Sequence, residues 1–232
     1  MTDPVLRPLA GEGLYVHEEE KLIYGYTTRN FPPTVLKRLL PGVPILFLKQ
    51  VHSDRIITPG EWRPGVEADG MLLRGEGAAA LIQTADCLPL FFFDDERRCG
   101  GVLHVGWRGL QQGIEERLAE RLGGELRRFR FYLGPGIEGN CYEVGEELRE
   151  KFAKKTYSNA IFSPARPGKH LLDLKAGLKL SLQALGAAPE RIRDSGLCTF
   201  CSRGLFPSFR RDGGTGRRIF NFLMLRGAAA AS

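Results

Sequence analysis

Two runs, Ala78–Ile82 and Leu88–Phe93, carry no polar side chain at all, and they sit only a turn apart. A strand buries opposite faces with alternate residues, so a strand that is apolar throughout needs a covering layer on both sides. That requirement excludes an open sheet with one wet face and calls for stacked layers. Further strands are predicted at Leu22–Thr27, Ile45–Gln50, Arg55–Thr58, Gly70–Leu73, Gly101–His104, Phe129–Leu133 and Ile219–Phe222, with the two apolar runs giving Ala79–Gln83 and Leu88–Phe93. Helical periodicity enters in three places. Leu110, Ile114, Leu118 and Leu122 recur every fourth residue before Gly123-Gly124; Leu174, Leu178, Leu182 and Leu185 follow Asp173 and stop at Gly186; a shorter helix covers Glu146 to about Lys154. Strands and helices without strict alternation argue for an α+β layered fold.

The chain has 232 residues, enough for a sizeable core in one domain, and neither repeats nor a low-complexity linker divide it, so residues 1–232 are read as a single domain. The final residues 227–232 (Gly-Ala-Ala-Ala-Ala-Ser) read as a frayed tail. The apolar runs are strand-sized and far short of a membrane span. The N-terminus lacks the basic-then-apolar pattern of a secretory signal, and five cysteines form no paired framework, so a cytoplasmic protein is expected. The net charge of +6 raises nucleic-acid binding, but no helix-turn-helix, zinc-finger or aromatic ribonucleoprotein pattern accompanies it. No nucleic-acid or membrane partner is therefore expected; arginines gathered near a pocket for a phosphorylated small substrate would also explain the excess.

The residues able to carry chemistry lie at predicted strand ends. His52, Cys87 and His104 stand in Leu-Lys-Gln-Val-His, Thr-Ala-Asp-Cys-Leu-Pro and His-Val-Gly-Trp-Arg-Gly contexts. Two imidazoles and a thiolate form a three-ligand set that leaves a fourth position open, as catalytic zinc requires. Their wide spacing means that only the fold could bring them together; singly, each reads as well as a buried core residue. Asp86, an acid in an apolar stretch, must either pair or cap the turn. Arg108, between Gly106 and Gly109, is placed to donate to an anion. Cys141, Tyr142 and Glu143 follow a Gly-rich turn and offer proton transfer and base stacking if they face a pocket. Cys198-Thr-Phe-Cys201 has the spacing of half a zinc site, weak without a second pair. The run Phe209 to Arg218 is arginine-rich and suits either a phosphate clamp or a solvated hairpin tip.

Taken together, Tyr26-Thr-Thr-Arg29, Lys49-Gln-Val-His52, Ala68-Asp-Gly70, Thr84 to Pro89, His104 to Gly109, Cys141 to Gly145, Cys198-Thr199, Phe209-Arg-Arg211 and Thr215-Gly-Arg217 resemble the bacterial YfiH family, also described as laccase-like multicopper polyphenol oxidases. The resemblance implies a four-layer α-β-β-α sandwich with mixed sheets and His52, Cys87 and His104 as zinc ligands. It implies phosphorolysis of inosine, guanosine, adenosine and methylthioadenosine, with adenosine deamination, by a monomer or homodimer whose partners are purine nucleosides and phosphate. Arg29, Gln50 and Arg108 match motif positions near that site and are read as contacts to substrate or phosphate; Tyr142 is read as stacking on the purine, and Asp86 or Cys141 as the candidate proton shuttle. Some relatives are peptidoglycan-editing amidases acting on a UDP-muramoyl-serine precursor, which is the alternative. Copper is the less favoured metal: a multicopper oxidase needs on the order of ten imidazole ligands, and this chain has 4 histidines.

Overall fold

Alternate residues of the apolar strands go to different cores, and this builds the layers. The computed structural model describes residues 6–9, 13–31 and 34–226, so the expected tail at 227–232 lies outside the described residues. One six-stranded sheet runs in the order Arg7–Leu9, Leu14–Glu19, Leu22–Thr27, Ile219–Leu225, Ala79–Thr84, Ile45–Phe47. A second runs Ile192–Asp194, Phe129–Leu133, Leu88–Asp94, Cys99–Val105, Gly70–Arg74, Ile56–Ile57. Both sheets are mixed, because Ile45–Phe47 pairs parallel with Ala79–Thr84, and parallel pairs also close both edges of the second sheet.

Phe91 and Phe93 face the first sheet and pack with Tyr24, Tyr26, Ala80 and Ile82, whereas Leu88, Leu90 and Phe92 face a helical layer. In Ala79–Thr84, Ala80 and Ile82 face inward while Ala79 and Leu81 meet Val35 and Leu36 of the helix Thr34–Leu39. The four layers are therefore helix, sheet, sheet and helix, with an apolar core at each junction, as the fold expectation has it. On the far side, helices Trp107–Gln112, Ile114–Arg121 and Leu174–Ala184 bury Leu110, Ile114, Leu118, Leu174, Leu178 and Leu182. A small antiparallel sheet of Glu143–Gly145, Lys169–Leu172 and Phe162–Pro164 flanks that layer.

Several boundaries differ from the sequence reading, two of them for a clear local reason. The helix expected through Leu110–Leu122 breaks at Gly113, which adopts φ 87° and closes the first helix through its amide to Gly109 O and Leu110 O. The strand expected to reach Gln50 ends at Phe47. Beyond it the Gln50 side-chain amide takes the place of a backbone pair, donating to Gln83 O and accepting from Gln83 N, both at 2.7 Å. The helix from Glu146 stops at Lys151 rather than near Lys154. By contrast, Leu174–Ala184 starts as read, with the Asp173 carboxylate accepting from Ala176 N at 2.9 Å, and Gly186 follows at φ 98°.

Candidate metal centre and its cavity

His52, Cys87 and His104 come together where the two sheets meet at one end. Their ligand atoms all lie within 4.8 Å of one another, with Cys87 Sγ 3.9 Å from His52 Nε2 and the two imidazole rings 4.8 Å apart. Bond lengths of ~2.3 Å to sulfur and ~2.0 Å to nitrogen put tetrahedral ligands about 3.6 Å apart, so these donors fit a single ion with little adjustment. Gly106 makes the approach possible: a Cβ there would lie 2.9 Å from Cys87 Sγ and 3.1 Å from His52 Cδ2.

The group that organises this centre is Asp69, which is fully buried. Its Oδ1 accepts from His104 Nδ1 at 2.8 Å and from the His52 amide at 3.0 Å. Its Oδ2 accepts from the Ser53 amide and hydroxyl, both at 2.7 Å, and from the Val51 amide at 3.2 Å. This carboxylate therefore fixes the His104 tautomer, leaving Nε2 for a metal, and holds His52 at φ 62°, a left-handed conformation unusual for histidine. Burial alone would raise the Asp69 carboxyl, but its donors, His104 first, outweigh that and hold it below the usual carboxylate range. The sequence alone gives Asp69 no role, although it lies between Ala68 and Gly70 ahead of an apolar strand, an unusual place for an acid.

The thiol and imidazole are mutually tuned. Burial pushes the Cys87 thiol up, yet the neighbouring imidazoles, His104 before His52, bring it down to about 6. Burial pushes His104 down, yet Cys87 and Asp69 raise it to about 9. A thiolate–imidazolium pair thus spans about pH 6 to about pH 9 in metal-free protein. The Cys87 contribution to stability is complete above its unfolded value near 9 and is lost as pH falls through about 6. The His104 contribution is complete below 6.5 and is lost as pH rises through about 9. Thiolate absorbance of the metal-stripped protein, taken as the difference from Cys87→Ser, is expected to titrate with a midpoint near 6; a midpoint above 8 contradicts the pairing.

A cavity of about 530 Å³ opens over these three residues and is also lined by Gln50, Gln83, Asp86, Trp107, Arg108, Ile137, Tyr142, Phe209, Arg210 and Arg218. That volume suits a small organic substrate. Among the described residues, Arg108 has no hydrogen-bond or ion-pair partner and stacks on Trp107 at 4.4 Å. Arg210 lies 4.9 Å over the Tyr142 ring and donates to Glu143 O, and Arg218 donates to Thr215 O. None of the three forms an ion pair with a described carboxylate. Burial is the largest influence on the Tyr142 phenol and pushes it up to about 12.

Asp86 lines the cavity at φ 86°, but its carboxylate is fully engaged. It accepts from Thr199 Oγ1 at 2.6 Å, Ser208 Oγ at 3.0 Å and the Arg210 amide at 2.7 Å, so it clamps the 199–210 segment against the metal centre. Gln50 lines the cavity with its amide paired to Gln83. Two expected residues fall elsewhere. Arg29 lines an adjoining cavity with Arg217 and Arg218 and binds Asp212 Oδ2 at 2.9 Å. Cys141 does not line the metal cavity; its Sγ lies 3.3 Å from Cys201 Sγ. Of the arginines in the Phe209–Arg218 run, Arg210 lines the metal cavity, Arg217 the adjoining one and Arg218 both, whereas Arg211 donates to Thr199 O, Phe200 O and Phe206 O.

Comparison with known proteins gives the family of the chain. A purine nucleoside phosphorylase of Pseudomonas aeruginosa is 34% identical over 173 residues, covering 74% of this chain and 70% of that protein. The purine nucleoside phosphorylase YfiH of Shigella flexneri is 32% identical over 180 residues, covering 77% of this chain and 72% of that protein. Among solved structures, the hypothetical protein YfiH of Bacillus licheniformis superposes with a TM-score of 0.85 at 26% identity, over 94% of this chain and 98% of that one. YlmD of Geobacillus stearothermophilus gives 0.85 at 23% identity, over 97% and 100%, which speaks to the fold alone. The family model described as multi-copper polyphenol oxidoreductase laccase matches residues 34–226, and with that match and these relatives the chain belongs to this laccase-like YfiH family.

Proposed function

We propose that this single-domain protein is a cytoplasmic purine nucleoside phosphorylase that also deaminates adenosine, with zinc held by His52, Cys87 and His104. The observation that carries the reading is one cavity containing both an open three-ligand centre and three arginines that form no ion pair with a described carboxylate. Such arginines suit an anion, and phosphate is the anion that phosphorolysis consumes. The names of the relatives point the same way. The description of the family mentions copper, and a His-His-Cys set does resemble a copper ligand set. Four histidines in the whole chain still argue against a multicopper centre.

Zinc, when bound, supplies a Lewis acid at its open position. The residues of the chain do the rest. Arg108, Arg210 and Arg218 hold phosphate, whose oxygen attacks C1′ of the ribose as the bond to the purine nitrogen breaks. The Tyr142 phenol, held protonated by burial, donates toward the leaving base. Asp86 acts by position: through the Arg210 amide it sets where that arginine reaches. In deamination, water adds at C6 of adenine and ammonia leaves.

The test is product analysis on inosine with and without phosphate. Hypoxanthine and ribose 1-phosphate are expected only with phosphate; base release independent of phosphate overturns the reading. Arg108→Ala is expected to raise KM for phosphate by ~10–100-fold, the worth of one charged hydrogen bond, with an unchanged melting temperature because the side chain is exposed. An unaltered KM removes Arg108 from the phosphate site.

A further inference from the structure

A second cluster lies outside the cavity: Cys141, Cys198 and Cys201, whose sulfurs all fall within 4.8 Å of one another. Cys141 closes the short turn Gly139–Cys141, and the other two belong to the Cys-Thr-Phe-Cys loop. The turns are locked together by backbone bonds, Gly136 N to Leu197 O at 3.3 Å and Thr199 N to Gly136 O at 3.0 Å.

Free thiols used only for packing are buried among apolar groups. Here Cys198 is buried, Cys141 is half-buried and Cys201 is exposed, so sulfurs meet at a surface rather than within a core. The Cys198 sulfur accepts a hydrogen bond from the Glu138 amide at 3.5 Å. An amide aimed at this sulfur suits a thiolate, and the turn that ends at Cys141 is what presents it.

We propose that Cys141, Cys198 and Cys201 form a second metal site, a three-thiolate centre for a thiophilic closed-shell cation such as Zn2+, with its fourth position toward solvent. Tetrahedral sulfurs at ~2.3 Å from zinc stand about 3.8 Å apart, between the 3.3 Å of the Cys141–Cys201 pair and the 4.8 Å limit of the cluster. Binding releases the thiol protons to solvent and changes no oxidation state. The ion would staple the turn before Tyr142 to the loop whose Thr199 holds Asp86. That role is structural and does not depend on the nucleoside chemistry.

The test uses the metal-stripped, reduced full-length chain titrated with Cd2+, following thiolate-to-cadmium charge-transfer absorbance, alongside zinc content of the reconstituted protein. Wild type is expected to bind two ions. Cys87→Ser, which removes the only thiolate of the first centre, is expected to keep one ion and about three quarters of the charge-transfer intensity, three thiolates of four. Cys198→Ser/Cys201→Ser is expected to lose most of the band. One ion in wild type, or no band in Cys87→Ser, overturns the proposal. So does a Cys141–Cys201 disulfide that forms in place of any cadmium uptake. The wild-type count needs no variant to fold, so the outcome stands even if the double variant does not.

Discussion

His104→Ala is expected to abolish phosphorolysis of inosine and to release the ion held with His52 and Cys87. The loss should be at least ~10³-fold in kcat/KM, or ~4 kcal/mol of transition-state stabilisation. The variant removes Nε2 from the centre and one donor from Asp69, but the carboxylate keeps the amides of Val51, His52 and Ser53 and the Ser53 hydroxyl. Chain folding should therefore survive while the centre does not. Steady-state kinetics paired with metal analysis checks this. Full nucleoside turnover by a folded His104→Ala protein would falsify the assignment of the centre to catalysis.

Asp69→Asn should act in the opposite proportion, striking stability harder than chemistry. Five donors converge on the two Asp69 oxygens, two on Oδ1 and three on Oδ2. An asparagine NH2 must face one of those groups whichever way it is flipped, leaving buried donors opposed to donors. The expected cost is ~3 kcal/mol, which for a chain of this size lowers the melting temperature by about 6–12 °C. Because His104 also loses its anionic partner, affinity for the ion should fall ~10–100-fold. Thermal melts and chelator competition measure the two effects separately. A melting temperature equal to wild type would mean that Asp69 is not the organising group described above.

The layers were legible because Leu88–Phe93 and Ala78–Ile82 have no polar face to offer solvent. The three ligands were legible through their strand-end contexts, although only folding could show that they converge. Asp69 was harder, since its partners come from residues 51–53 and from residue 104, and no local pattern relates them. The three-cysteine cluster was half visible as Cys198-Thr-Phe-Cys201; Cys141 joins it only through the pairing of two loops. Short strands such as Phe162–Pro164 and Ile192–Asp194 carry too few apolar residues to display a period and were not expected. Gly113 sits within an unbroken apolar repeat, so the repeat hid the break its backbone makes.

Cys87 stands where the chain passes from Ala79–Thr84 in one sheet to Leu88–Asp94 in the other, while His52 follows the edge strand of the first and His104 belongs to a strand of the second. An ion seated there works as a rivet across the open end of the sandwich. Any shear of one sheet over the other would be read immediately as a mismatch among its three donors. Because the cavity lies open over the same three donors, an ion would enter from that side, and the strength of its hold would gauge how firmly the halves of the molecule are clasped.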